Sequence, residues 1–274
     1  MPELSEFLPM LALILVIGAF AGVIAGLLGV GGGIVLVPAF YFAFEGLGYG
    51  PEGLMQICLG TSLATIAVTS LRSLLAHNKK GAVDWDILRS WGPGIGVGAV
   101  LGVVAASGLR GEILMVIFGV LGLIVGLYLA FGRATWRLGP AMPTGIGCAI
   151  SSPILGFLSV LMGIGGGSFG VPLMTLYGVA IHRAVATAAG FGILIAVPSV
   201  LGFLMISGAP ENRPPFTIGQ VNLVAFFVVV AMTLITTPWG VKLAHAMDPK
   251  PLKRVFAVFI MVMALNMLRK AFMG

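Results

Sequence analysis

Charged residues are scarce in this sequence, and that scarcity excludes most soluble architectures. Only 9% of the 274 residues are charged, 59% are hydrophobic, and the mean hydropathy is +1.12. Soluble domains contain about 25% charged residues. Because backbone groups in hydrocarbon must hydrogen-bond within their own segment, the long apolar runs predict membrane-spanning helices. The net charge of +6 comes from residues in loops between these helices, so we expect no nucleic-acid partner.

Cysteines and embedded carboxylates are few, which limits the chemistry that the chain can perform. The two cysteines, Cys58 and Cys148, fall in apolar segments and are interpreted as packing residues, with a disulfide between them as the minor alternative. All nine acidic residues fall at predicted helix ends or in loops. An intramembrane enzyme would need a nucleophile with a base, or metal ligands, at membrane depth. We therefore expect no enzyme activity, no cofactor, no metal and no embedded proton relay.

Ten apolar segments are present, and a polar connector near residues 133–143 separates them into two series of five. The predicted fold class is an all-α integral membrane protein with about eight to ten membrane segments. The first membrane repeat comprises residues 1–135 and the second comprises residues 136–274. The acidic start MPELSEF does not match the basic start of a cleavable signal peptide, so the first helix is expected to remain. The predicted segments are 8–28, 33–45, 54–76, 86–107, 111–131, 143–163, 167–179, 184–207, 218–242 and 251–272.

The second half of the chain repeats the motifs of the first half. A GxGGG segment followed by proline occurs in both halves at an offset of 134 residues (163 − 29). Later motifs match at offsets of 126 residues (187 − 61) and 138 residues (219 − 81). Loop lengths account for the different offsets. The matched pairs are Gly29–Pro38 with Gly163–Pro172, Gly60–Ser62 with Ala186–Ala188, and Gly81–Val83 with Gly219–Val221.

Lysine and arginine, which favour cytoplasmic loops, indicate that the two halves are inverted repeats. If each half crosses the membrane an odd number of times and both termini lie outside, 11 of the 15 basic residues are cytoplasmic. A parallel arrangement divides them 9 to 6. Equivalent loops also differ, because Lys79-Lys80 has the uncharged counterpart Phe216-Thr217. Arg269-Lys270 is the exception, since inversion places it outside.

The paired GxGGG segments are the main candidates for a binding site. Glycine costs roughly 1 kcal/mol in a helix relative to alanine, so Gly31, Gly32 and Gly33 are predicted to interrupt a helix, as are Gly165, Gly166 and Gly167. Unpaired backbone amides are tolerated at membrane depth only where they line a cavity or are buried in protein. The short helix after each break would point its free amides and positive dipole end at that cavity, which suits an anion. Close helix packing is the alternative explanation of these glycines.

Prolines, hydroxyls and basic residues near the breaks complete the candidate site. Pro38 and Pro172 are predicted to kink the two short helices. Hydroxyl groups would replace part of the hydration of an anion, with bonding to their own backbone as the alternative. Arg72, His182 and Arg183 are candidates for attracting the anion. The alternative for Arg72 is that it snorkels to the membrane surface, and the alternative for His182 and Arg183 is that they anchor a helix end at the interface. The hydroxyl candidates are Thr61, Ser62, Ser168 and Thr187.

The order of these motifs resembles the sulfite exporter TauE/SafE family, also called the toluene sulfonate uptake permease family. The resemblance covers nearly the whole chain and implies a bacterial-type inner-membrane protein that carries sulfite, sulfonates, sulfoacetate, thiosulfate or related anions. Some members of the family import. Where the first half has Gly60-Thr61-Ser62, the second has Ala186-Thr187-Ala188, so two half-sites would be unequal. The positions that match the family's signature stretches are Gly31–Gly33, Thr61, Ser62, Gly165–Gly167 and Thr187.

These observations together predict a transporter that exports a small sulfur-containing anion by alternating access at the interface between the two repeats. No embedded coupling group is visible, and an inside-negative potential would drive an anion outward. An importer or channel for such anions and a non-transporting membrane scaffold are the alternatives. The expected surroundings are a lipid bilayer, and a homodimer is left open. The predicted location is the bacterial inner membrane, with many crossings and both termini outside.

Overall fold

The computed structural model describes residues 4–28, 33–133, 136–206, 213–246 and 249–273. Within these ranges the chain forms ten α-helices and a two-stranded antiparallel hairpin. The elements are α1 Leu4–Leu28, α2 Gly33–Gly46, α3 Leu54–Lys79, α4 Trp85–Gly108, α5 Gly111–Phe131, α6 Gly145–Leu161, α7 Gly166–Leu176, α8 Ile181–Met205, β1 Thr217–Ile218, β2 Val221–Asn222, α9 Leu223–Ala246 and α10 Pro249–Met273.

The protein is an all-α, multi-pass membrane protein, which confirms the predicted fold class. Seven helices in the described ranges are long and apolar enough to cross a bilayer: α1, α3, α4, α5, α8, α9 and α10. The remaining three helices, α2, α6 and α7, have 14, 17 and 11 residues. Exposed apolar side chains such as Val104, Ile124 and Leu201 point away from the core, as expected for surfaces that face lipid.

The start of α9 differs from the prediction of a helix from residue 218. Residues 217–222 form the hairpin instead, and α9 begins at Leu223. Two positive φ angles, 60° at Phe216 and 55° at Gly219, turn the chain sharply at this point. Asn222 then caps α9, because its Oδ1 accepts a 2.9 Å hydrogen bond from the backbone N–H of Ala225. Turn chemistry therefore overrides the apolar character of this segment.

Helix packing follows the duplication of the sequence. The helices α1–α5 of the first half correspond in order to α6–α10 of the second. Helix α1 of the first half packs along α9 of the second, and their counterparts α6 and α4 pack along each other in the same way. In the same way, α2 and α7 pack against α3 and α8 respectively. Two further pairs, α3 with α8 and α5 with α10, join each helix to its own counterpart. The two series of five helices thus make reciprocal contacts with each other.

Close approach at glycines shows the direction of each helix pair. Gly119 lies against Leu268 and Gly126 lies against Met261, so α5 and α10 run antiparallel. Likewise, α3 and α8 run antiparallel, because Gly60 lies against Phe203 and Ser70 lies against Gly192. By contrast, Gly18 and Gly22 of α1 meet residues 229–232 and 233–236 of α9, so that pair is parallel. These glycines allow backbones to approach closely, which is the usual use of small residues in membrane helices.

Candidate functional site

The second glycine segment separates two helices, as the sequence predicts, because α6 ends at Leu161 and α7 begins at Gly166. Gly163 has a φ of +61°, a conformation that favours glycine. A Cβ at this position would also lie 2.6 Å from Cγ2 of Val37 in α2. The carbonyl of Gly163 accepts a 2.7 Å hydrogen bond from the hydroxyl of Ser62 in α3. This break is therefore fixed both by its backbone conformation and by contacts from the first half of the chain.

The first half approaches the same point through α2. Gly33 begins α2, and a Cβ on it would lie 3.0 Å from the carbonyl oxygen of Gly163 and 3.0 Å from Cα of Ile164. The start of one short helix thus contacts the break that precedes the other. Gly31 and Gly32 lie outside the described residues. Contact between Gly33 and Gly163 nevertheless places parts of the two motifs side by side within the protein.

The first turn of α7 presents backbone amides without a side-chain cap. Gly165 is the N-cap residue and has no side chain to accept from the amides of Gly166, Gly167 and Ser168. All four residues are buried. The first amides of a helix have no partner within the helix and carry the positive end of its dipole. This turn can therefore donate hydrogen bonds to an anion.

Gly166 has a structural role besides any binding role. A Cβ at Gly166 would collide with Cβ of Phe191 and would lie 2.6 Å from the carbonyl oxygen of Ala188 in α8. Backbone atoms cannot move aside cheaply, so the contact between α7 and α8 requires glycine here. Close packing, the alternative explanation of the motif, therefore holds at Gly166.

A cavity of about 540 Å³ lies beside this turn, between α1, α2, α3, α7, α8 and α9. One wall is formed by Gly165, Gly166 and Gly167. None of the described residues that line it is acidic. Apolar residues such as Leu36, Ile66 and Leu234 supply the rest of the wall. The polar residues that line it are Thr65, Thr69, Ser70, Arg72, Ser73, Thr233, Thr237 and Lys242.

Two cationic side chains from different helices line this cavity. Arg72 comes from α3 and Lys242 from α9, and both side chains are exposed. Neither forms an ion pair with any residue in the described part of the chain. Since no carboxylate compensates them, their charges add to the positive end of α7 and make the cavity electrostatically favourable for an anion.

The hydroxyls of the cavity divide into two groups. Thr65, Thr69, Thr233 and Thr237 donate to carbonyls of their own helices, at 3.1, 3.1, 2.9 and 2.5 Å. Their oxygens can accept a hydrogen bond, but their protons are already used. Ser70 and Ser73 form no hydrogen bond within the described residues, so their protons can be donated. The donors on offer to an anion are thus two serines, two cations and the amides of α7.

Thr61 and Thr187 lie away from the cavity and form a reciprocal pair of contacts between the halves. Oγ1 of Thr61 accepts a 2.9 Å hydrogen bond from the backbone N–H of Asn222, and Oγ1 of Thr187 accepts one of 2.9 Å from that of Asp84. Both acceptors are fully buried. Each donor residue also caps the following helix, α9 or α4. These threonines hold the start of a helix in the opposite half.

The remaining predicted residues are spread over the protein. Arg183 and His182 are exposed at the start of α8, where Nη2 of Arg183 pairs with Oδ2 of Asp84 at 3.0 Å. Pro38 and Pro172 lie inside α2 and α7, which both continue past them. Ser168 is 3% exposed, and its hydroxyl has no hydrogen-bond partner in the described structure. Of the sequence candidates, the cavity brings together Gly165–Gly167 and Arg72.

Several cavity residues were missed by reasoning from the sequence. Lys242 is the last residue of the predicted segment 218–242, and Thr69, Ser70, Ser73, Thr233 and Thr237 belong to none of the motifs. A signal was present, because Thr65, Thr69, Arg72 and Ser73 recur at helical spacing and form one polar face of α3. A polar face on an otherwise apolar membrane helix points to the interior of the bundle.

Comparison with known proteins assigns the chain to a family. The family model described as "Sulfite exporter TauE/SafE" matches residues 14–267. The chain belongs to this family. Its TauE/SafE match spans both glycine motifs of the sequence and the residues that line the cavity.

Several curated relatives have the same overall length and carry the same kind of name. A "Probable membrane transporter protein" of Haemophilus influenzae is 30% identical over 94% of this chain and 98% of its own length. One of Methanocaldococcus jannaschii is 26% identical over 96% and 97%, and YunE of Bacillus subtilis is 27% identical over 87% and 88%. No solved structure matches. Family and relatives together support a membrane transporter.

Proposed function

We propose that this chain exports a small sulfur-containing anion, such as sulfite, sulfoacetate or another organosulfonate, through the cavity beside α7. One observation carries this proposal: Arg72, Lys242 and the uncapped start of α7 line the same cavity. Among the described residues, neither cation has an ion-pair partner and none of the lining residues is acidic. The family description supplies the substrate class. A sulfonate or sulfite group offers oxygen acceptors that match these donors.

The proposed binding mode places the sulfur oxygens at the amides of Gly166 and Gly167. Ser70 and Ser73 would donate further hydrogen bonds, and Arg72 and Lys242 would compensate the charge. The apolar wall at Leu36 and Ile66 would contact any carbon portion of the substrate. Neutral donors with flexible cations at the rim bind an anion without holding it too tightly for release.

We further propose that the halves are inverted repeats and alternate access by rocking against each other. The supporting observation is that α3 with α8 and α5 with α10, the pairs that join counterparts, run antiparallel. A two-fold axis along the membrane normal would relate parallel repeats, and each helix would then run parallel to its counterpart. Antiparallel counterparts require an axis in the membrane plane. The reciprocal bonds of Thr61 and Thr187 support the same axis.

Both termini are proposed to lie outside a bacterial inner membrane. In this orientation the exposed rim at Arg72 and Lys242 faces the cytoplasm. The cavity would then collect cytoplasmic anions, which agrees with export. Structural asymmetry alone cannot drive net transport, so the membrane potential would supply the direction at about 2.3 kcal/mol per charge for 100 mV.

Flux through purified protein in liposomes tests this function. Vesicles are loaded with sulfite, sulfoacetate, thiosulfate, sulfate, phosphate or chloride, and release is followed at a potential set by potassium and valinomycin. We expect a sulfur anion to leave faster than phosphate or chloride, and we expect Arg72→Gln to lower that rate. The vesicles without protein and those with Lys79→Gln are the controls, since Lys79 is an exposed cation outside the cavity.

The outcomes separate the alternatives. Release that follows the potential without saturation indicates a channel, and uptake against the potential with a second ion indicates a coupled importer. Transport of phosphate or a cation in preference to every sulfur anion contradicts the substrate proposal. A scaffold predicts no flux from well-folded protein. Gly166→Leu is a poor test of the scaffold, because the clash with α8 would disrupt folding in either case.

A further inference from the structure

A second, larger groove lies on the outside of the bundle, between α4 and α8. Its volume is about 920 Å³, and its lining is apolar apart from its Arg89 end. Gly92, Gly96 and Gly190 are among its lining residues, and a Cβ added at Gly96 would meet no atom within 4 Å. The groove extends at least from Arg89 to Leu101, which is about 18 Å along a helix. One leaflet of a bilayer core is about 15 Å thick, half of the roughly 30 Å total.

The groove faces the membrane along its length. Its walls belong to the membrane helices α4 and α8, with Leu74 of α3 beside them, and side chains on its rim such as Val97, Val100 and Leu101 are about half exposed. A cavity in this position is filled from the bilayer, since water does not enter an apolar surface within hydrocarbon. The ~18 Å length suits a single acyl chain that lies along α4.

One end of the groove is polar and lies at the start of α4. Arg89 is the one charged residue among the described residues that line it, its side chain is exposed, and it pairs with no described acid. Trp85 lines the same end and is 41% exposed. Tryptophan and arginine at a helix end are typical of the level of the lipid headgroups. An unpaired guanidinium at this level is complementary to phosphate.

We propose that this groove is a binding site for one anionic glycerophospholipid. One acyl chain lies over Gly92 and Gly96, and the phosphate accepts hydrogen bonds from Arg89. The site is separate from the anion cavity, because none of the residues that line the cavity lines the groove.

The two halves of the chain differ at this position. At the offset of 138 residues (222 − 84), Arg89 corresponds to Phe227, which is 64% exposed on α9. The equivalent surface therefore has no cation at this point. Selective lipid binding should occur on one face of the bundle, where the headgroup partner is present.

Native mass spectrometry of the purified full chain in detergent tests the proposal. The protein is mixed with equal amounts of phosphatidylglycerol and phosphatidylcholine that carry identical acyl chains. We expect the wild type to retain one phosphatidylglycerol in preference. Arg89→Gln should reduce that preference by about fivefold, the effect of one basic residue near a lipid surface. Lys79→Gln, an exposed basic residue outside the groove, is the matched control and should keep the preference.

A second variant tests the acyl-chain part of the site. No atom lies within 4 Å of a Cβ added at Gly96, so Gly96→Leu fills the groove without a clash. We expect it to lower retention of both lipids. If the melting temperature of this variant without lipid shows misfolding, Val100→Trp on the exposed rim takes its place.

Three results would overturn the proposal. One is equal retention of the two lipids by the wild type, or an equal loss of preference in Lys79→Gln and Arg89→Gln. Another is displacement of the phosphatidylglycerol by excess inorganic phosphate, which would indicate a headgroup site without an acyl chain. The third is efficient cross-linking of Gly96→Cys between two chains in a bilayer, which would show that a second copy covers the groove.

Discussion

The hydroxyl of Ser62 donates a 2.7 Å hydrogen bond to the carbonyl of Gly163 and so ties α3 to the break before α7. Both groups are buried. The bond crosses from the first half of the chain to the second. It fixes the position from which α7 points its first amides at the cavity.

Loss of this bond should loosen the break. We expect Ser62→Ala to lower the free energy of unfolding by about 1–3 kcal/mol, because the Gly163 carbonyl would be left buried and unpaired. Thermal unfolding in detergent measures the effect. Ser199→Ala is the matched control, since this buried hydroxyl donates to Ile195 of its own helix. Equal losses in the two variants would contradict a special role for Ser62.

Gly166 should tolerate no side chain. We expect Gly166→Ala to destabilise the protein by about 1–3 kcal/mol, because the new Cβ meets Phe191 and the Ala188 backbone. Gly46→Ala is the control, since a Cβ there meets no atom within 4 Å. Thermal unfolding of the two variants should differ clearly. If Gly166→Ala is as stable as the wild type, α7 and α8 are farther apart than the structure indicates.

The reciprocal threonines should affect stability without affecting anion affinity. Thr61→Val leaves the buried N–H of Asn222 unpaired, at a cost of about 1–3 kcal/mol. Thr187→Val should cost less, because Asp84 is only part-buried whereas Asn222 is fully buried. Unfolding and anion titrations on the same samples separate the two effects. Weaker anion binding by stable variants would instead favour a direct contact with substrate.

Arg72 and Lys242 should contribute to anion affinity. We expect Arg72→Gln and Lys242→Gln each to weaken binding by about tenfold, the size of a hydrogen bond to a charged group. Isothermal titration with the transported anion measures the change. Arg72→Lys should retain part of the affinity, since it keeps the charge and loses the planar fork. Unchanged affinity in both neutral variants would place the anion elsewhere.

Equivalent loops should label from opposite sides of the membrane. Lys79→Cys and Phe216→Cys introduce cysteines in counterpart loops, and both positions are exposed. A membrane-impermeant maleimide should reach Cys at 216 from outside and Cys at 79 only after permeabilisation. The native Cys58 and Cys148 are buried and should give little background. Labelling of both positions from one side would contradict inversion.

Long elements could be predicted from the sequence because their signal is local. The ten helices follow apolar runs, and breaks at Gly163–Gly165 follow from low helix propensity. The hairpin before α9 was missed because Phe216 and Gly219 define a turn in a segment that is otherwise apolar. Lys242 could not be predicted as a cavity residue, because it is far from Arg72 in the sequence and the two line the same cavity only when α3 and α9 pack together.

By itself, the sequence determined the membrane environment, the helix order, the repeated motifs and the location of the glycine break between α6 and α7. Each of these depends on composition or spacing along the chain. The tertiary structure decided which polar groups are free. Thr61, Thr187 and Ser62 are occupied by partners about 100 or more residues away, whereas Arg72 and Lys242 have no described partner. A hydrogen bond between distant helices depends on packing in three dimensions, and no local pattern encodes it.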